Sequence, residues 1–126
     1  MNNEQLAINN EKRGLLIDGL DVSRGIAMTG GTEAGYLTVL SMFCKDAEDR
    51  LGLLQSVPEA DALLQFATQV HALKSASGSI GAANVSALAA ELESAGRAED
   101  FTLIQNKLPA FAEQLTKLVN NIKTAM

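Results

Sequence analysis

Cysteine, histidine, tyrosine and tryptophan are scarce in this 126-residue sequence: one Cys, one His, one Tyr and no Trp. A single cysteine excludes an intramolecular disulfide and a multi-cysteine zinc site, and a single histidine excludes any metal site that needs two imidazoles. Basic residues are also few. Lys and Arg number 10 against 15 Asp and Glu, giving a net charge of −5. An acidic chain without a basic run is a poor partner for phosphate backbones, so nucleic acid drops out as a ligand. The start, MNNEQLAINNEKR, has no apolar signal-peptide core. No stretch approaches the roughly 18 apolar residues of a membrane span. The expectation is a soluble, cytoplasmic chain with no direct membrane contact, either free or tethered through a larger parent.

What is present is aliphatic. Apolar residues make up 47% of the chain and aromatics only 4%, so the core must be built from Leu, Ala, Val and Ile. The length suits one domain able to hide roughly two thirds of its unfolded surface. Residues 1–13 are polar and aperiodic and read as a flexible tail or linker remnant, leaving 14–126 for the domain.

Apolar spacing after that point is helical. Asp21 is placed to cap a short helix through about Met28, with Gly30-Gly31 as its stop, and Thr32 to cap a longer one. The stripe Leu40, Phe43, Ala47, Leu51 and Leu54 ends before Pro58. A third helix is expected to begin near Glu59 to Asp61, with the seam Leu63, Phe66, Val70, Leu73, Ser77 and Ile80. A fourth runs from about Ala83 along Val85, Leu88, Leu92 and Ala95, with Gly96 as its expected stop. Asp100 is placed to cap the last, whose stripe is Ile104, Leu108, Phe111, Leu115, Leu118 and Ile122. Pro109 lies inside that stripe, where a kink or a restart is expected. With no sustained strand alternation, the fold class is all-α: an antiparallel up-and-down four-helix bundle with a short additional N-terminal helix.

The only histidine lies in the third helix, within Val70-His71-Ala72-Leu73-Lys74-Ser75-Ala76-Ser77-Gly78-Ser79-Ile80-Gly81. His71 sits one step, about 100°, round the helix from the seam. Lys74, Ser75 and Gly78 share its face, and Ala67 and Thr68 lie one turn back. Ser and Gly in mid-helix cost roughly 0.5–1 kcal/mol each relative to Ala, so helix propensity does not select them. Small side chains let another protein approach the ring, and an ammonium one turn away suits an anion arriving there. A nucleophilic nitrogen, charge neutralisation and in-line access are what phosphoryl transfer requires. Against this, a lone helical histidine is most often structural, and a His and Lys three apart is common by chance.

The stretch resembles the signature of histidine-containing phosphotransfer (Hpt) domains: His, any residue, Leu, Lys, three small residues, then Gly at +7 and +10. This sequence supplies His71, Leu73, Lys74, Ser75, Ala76, Ser77, Gly78 and Gly81, followed by Ala82. Ala89-Ala90-Glu91-Leu92-Glu93 downstream, and Gly19-Leu20-Asp21-Val22 with Gly30-Gly31 upstream, look like such domains at the C-terminus of hybrid sensor kinases. The resemblance runs from about Gly19 to the last helix.

It implies a monomeric phosphorelay intermediate. His71 would take a phosphoryl group from a receiver-domain aspartate and pass it to an aspartate of another response regulator. Lys74 would stabilise the phosphate, and Ala67, Thr68, Ser75 and Gly78 would form the docking face. Ile80, Ala82 and Val85 near the helix end would line the contact. Glu93 matches the position of an acceptor that orients the imidazole. Read without the resemblance, it is equally a solvated helix charge. No cofactor is implied for this domain, with Mg²⁺ expected on the partner receiver. The family usually has Gly directly after the Lys; Ser75 stands there in this chain, which bears on rate or partner choice.

Rival functions come from other classes. A non-phosphorylated helical adaptor bundle would leave His71 and Lys74 free to change. An enzyme using His71 as general base would need convergent acid or oxyanion groups that this face lacks. Gly30-Gly31 has no following GK[ST], so no ATP-dependent kinase activity is expected. Cys44 reads as a buried small hydrophobe. The cluster of Lys45, Asp46, Glu48, Asp49 and Arg50 reads as a solvated helix face.

Overall fold

A computed structural model describes residues 15–126, so the expected tail at 1–13 lies outside the described residues. Five α-helices follow in order: α1 (Val22–Met28), α2 (Glu33–Leu51), α3 (Leu63–Ser79), α4 (Ala83–Arg97) and α5 (Phe101–Ala125). Helices α2 to α5 pack in a ring, each against its neighbours in the chain and α5 back against α2. Three-residue links (80–82 and 98–100) force α3, α4 and α5 to run antiparallel. This is the up-and-down bundle, and α1 is the additional short helix beside it. Among the described residues there is no strand, and no helix is long and apolar enough to cross a membrane.

The helix starts follow their capping residues. Side-chain oxygens of Asp21, Thr32 and Asp100 accept from the backbone N–H groups of Arg24, Gly35 and Leu103, satisfying donors that a helix start leaves free. The inward stripes are buried: Leu40, Phe43, Ala47 and Leu54 meet Leu63, Phe66, Val70, Leu73, Leu92 and the whole α5 stripe from Ile104 to Ile122. Cys44 is buried among them.

Three boundaries differ from the sequence expectation. A 3₁₀ turn over Ala60–Ala62 occupies the expected start of the third helix, and α3 proper begins at Leu63. Gly96 does not stop the fourth helix, which continues to Arg97. Glu99 takes the left-handed conformation instead, at φ 57°. Gly96 serves packing: a Cβ there would press on the ring of Phe66 and the methyl of Ala67. Finally, α5 does not restart at Pro109. Pro109 and Gln105 both lie on the exposed side of α5, where a missing backbone donor costs least.

Both α1 and α2 are fastened to the C-terminal end of α3, at the far end of the histidine helix. The buried hydroxyl of Tyr36, on α2, donates to the Ile80 carbonyl at 2.7 Å, and the N–H of Asp21, the cap of α1, donates to the Gly81 carbonyl at 2.9 Å. Burial, aided by the negative charge of Asp21, pushes the Tyr36 phenol up to about 12. Gly81 has φ +89°, and a Cβ on it would collide with the backbone carbonyl of Asp21. Gly81→Ala is therefore expected to lower stability by about 2 kcal/mol in urea unfolding, by combining left-handed strain with the lost α1 contact.

Candidate functional site

The link of Ile80 to Ala82 turns α4 back along α3, so that positions 71 and 93 come face to face although 22 residues apart. The seam residues Val70, Leu73 and Ser77 point inward, which leaves His71 on the outer shoulder with 53% of its side chain exposed. Glu93, on α4, is only 8% exposed, and its carboxylate faces the α3 shoulder.

Three side chains converge on that carboxylate. His71 Nδ1 lies 2.8 Å from Oε2, Lys74 Nζ lies 2.7 Å from Oε1, and Arg97 reaches Oε2 through Nε at 3.2 Å and a terminal nitrogen at 2.9 Å. The Lys74 ammonium, with help from Arg97 and His71, outweighs burial and holds the Glu93 carboxyl at about 2, below its ordinary 4.5. An ionised carboxylate only accepts, so His71 Nδ1 must carry the hydrogen of their bond. In the neutral ring the lone pair is then on Nε2. Among the described residues Nε2 has no hydrogen-bond partner. The result is an oriented imidazole with its nucleophilic nitrogen turned outward.

The backbone around Lys74 is also braced. Ser86 on α4 donates its hydroxyl to the Lys74 carbonyl at 2.9 Å. Gly78 permits that approach, because a Cβ there would stand 3.3 Å from Ser86 Oγ. Ser77 is buried and donates to the Leu73 carbonyl at 2.6 Å, which keeps a hydroxyl in the seam without an unmet donor. A groove of about 380 Å³ runs beside Lys74 and Gly78, bounded by Arg24 of α1 and by Ser86, Ala87 and Ala90 of α4.

His71, Lys74, Thr68, Ser75 and Gly78 thus share one accessible or half-buried shoulder. Ala67 does not belong to it: at 1% exposure it packs beneath Gly96 in the α3–α4 interface. Ile80, Ala82 and Val85 are likewise buried and cannot line a partner contact. The reason is rotation: position 67 falls three residues before Val70 and follows the seam, and the three others close the core under the link. Sequence reasoning missed Arg97 and Ser86. Arg97 was detectable as an i, i+4 partner of Glu93, but nothing short of the α3–α4 crossing directs Ser86 to Lys74. Among the described residues no three or more His, Cys, Asp or Glu side chains gather as metal ligands.

The depressed pKa of Glu93 has a stability consequence with a definite sign. Between its ordinary 4.5 and the folded value of about 2, the unfolded chain binds the proton more readily. The stabilisation from Glu93 is therefore complete above that window and is lost as pH falls through it. Glu93→Gln should remove this part of the acid dependence and cost about 1–3 kcal/mol at neutral pH, read by urea unfolding at pH 7 and at pH 3.

A family model described as "Hpt domain" matches residues 38–125, well over half of the chain. No curated protein and no solved structure gives a significant match. The matched span contains α3, α4 and α5 and most of α2, hence His71 and all three groups bound to or held by Glu93. The chain belongs to the Hpt family of phosphorelay domains.

Proposed function

We propose that His71 is the phosphoacceptor of this phosphorelay domain, and that Lys74, Glu93 and Arg97 prepare it for transfer. The carrying observation is the 2.8 Å bond from His71 Nδ1 to Glu93 Oε2, which leaves Nε2 as the free nucleophile. The donor is the acyl phosphate on the aspartate of a receiver domain. The Nε2 lone pair attacks phosphorus in line, and the bond from phosphorus to the aspartyl oxygen breaks, returning its electron pair to the receiver carboxylate. The ring keeps its Nδ1 hydrogen and becomes a phosphoimidazolium. Its new positive charge then lies against the Glu93 carboxylate, which favours the product.

The reverse step, onto the aspartate of a second receiver, uses the same arrangement. A Mg²⁺ ion held by the receiver would neutralise phosphate charge from the other side. Lys74 spends one of its three N–H donors on Glu93, leaving others for a phosphoryl oxygen. Thr68, Ser75 and Gly78 keep the surface around the ring low enough for a receiver to approach. Most of the chain's contribution is positioning.

Phosphorylated receiver, radiolabelled on its aspartate, should transfer label to the parent chain, giving a product that is acid-labile and base-stable. His71→Gln should abolish labelling, and equal labelling of that variant would refute the assignment. For Lys74→Ala, loss of a charge-assisted contact to the phosphoryl group predicts transfer slower by roughly tenfold or more, with the fold retained by circular dichroism.

A further inference from the structure

α3 carries the hydroxyl side chains of Thr68, Ser75, Ser77 and Ser79. Within a helix such a hydroxyl commonly donates to the carbonyl one turn back. Three of them do so: Thr68 to Leu64 at 3.0 Å, Ser77 to Leu73 at 2.6 Å and Ser79 to Ser75 at 2.9 Å. Ser75 is the exception. The carbonyl one turn back from it belongs to His71, yet the Ser75 hydroxyl has no hydrogen-bond partner among the described residues, and the residue is exposed.

The uncommitted hydroxyl stands on a particular side of the ring. Lys74, three residues after His71, falls about 60° round the helix to one side of it, and Ser75, four after, about 40° to the other. The Lys74 side is the α4 side, because its ammonium reaches Glu93. The Ser75 side faces solvent. With Nδ1 held by Glu93, a phosphoryl group on Nε2 stands out from the shoulder between these two positions. Residues four apart on a helix have Cβ atoms about 5–6 Å from one another, a gap that a hydroxymethyl and a phosphoryl group beyond the ring can close. A phosphoryl group offers three strong acceptor oxygens, and Lys74 approaches them from the α4 side alone.

We propose that Ser75 is a phosphoryl-binding residue: its hydroxyl donates to an oxygen of the phosphoryl group on His71, on the side opposite Lys74. This rests on His71 being the phosphoacceptor. Ser75 forms and breaks no covalent bond. It stabilises the phosphorylated state of His71 relative to the free one, and so sets how the phosphoryl group divides between this chain and a receiver aspartate.

The division of phosphoryl group at equilibrium isolates this contact, because it depends on the free species and not on how tightly they dock. The full chain, radiolabelled with phosphoramidate and freed of excess reagent, is mixed with Mg²⁺ and the receiver domain that takes label fastest from it. The share of label on each protein is read by gel at the exchange plateau. Ser75→Ala, which raises helix propensity and so keeps the fold, is expected to move the division roughly fivefold toward the receiver. Ser75→Thr, which keeps the hydroxyl, stays near the parent. Phosphoramidate needs no protein partner, so labelling of the parent against His71→Gln tests the underlying assignment separately. If the parent is labelled at His71 but Ser75→Ala divides label as the parent does, the phosphoryl contact is refuted and the phosphoacceptor stands. A change confined to the KM for receiver would make Ser75 a docking residue and equally overturn the proposal. So would acid-stable label on the parent that Ser75→Ala loses, because the hydroxyl would then take the phosphoryl group itself. If His71→Gln takes as much label as the parent, both assignments fall.

Discussion

The carboxylate of Glu93 is the point on which the site depends. It sits between α3 and α4, nearly buried, and takes donors from an imidazole, an ammonium and a guanidinium. A carboxylate drawn out of water at such a place is costly unless its lone pairs are met, and here they are. In return it fixes the tautomer of His71, holds Lys74 within reach of the ring and ties Arg97 to the same spot. The three groups lie on two helices, so the contact also locks the register of α3 against α4.

The charge balance of the cluster differs from that of the chain. The protein carries a net charge of −5, yet Lys74 and Arg97 outnumber Glu93 at the histidine. The histidine therefore sits in a local positive surplus on an otherwise acidic domain. Glu93 moderates that surplus without cancelling it, and its Oε2 faces Nδ1 of the ring, leaving Nε2 on the other side.

Around the cluster, the rest of the fold supplies rigidity and clearance. α2 is pinned to the end of α3 by Tyr36, and α1 by the backbone pairing of Asp21 with Gly81, which together steady the helix that carries His71. Ser86 braces the Lys74 carbonyl from α4, through the space that Gly78 leaves. Gly96 and Ala67 let the two helices close beneath Arg97. Glycines that read in the sequence as helix stops or as a low docking surface thus prove to be places where one backbone or side chain comes close to another.

The sequence by itself determined the helices and the candidate nucleophile. Periodic Leu, Ile, Val and Ala faces, with Asp21, Thr32 and Asp100 as caps, dictate helices through local hydrogen bonding and through burial of one face. His71 and Lys74 were legible because i, i+3 and i+4 spacing is itself a geometry. The family motif added the role that spacing alone left open. What only the tertiary structure decided is which residues cross between helices. Glu93 reads equally as a solvated charge until α4 is laid against α3. Ala67 reads as part of a docking face, and Ile80, Ala82 and Val85, two of them on apolar stripes, as lining a partner contact, until the core closes over them; Gly96 reads as a stop until Phe66 is seen against it. A helix face is a property of one segment, whereas burial and cross-helix contact depend on the rotation of two segments about their axes. That rotation is set by the packing of the whole bundle.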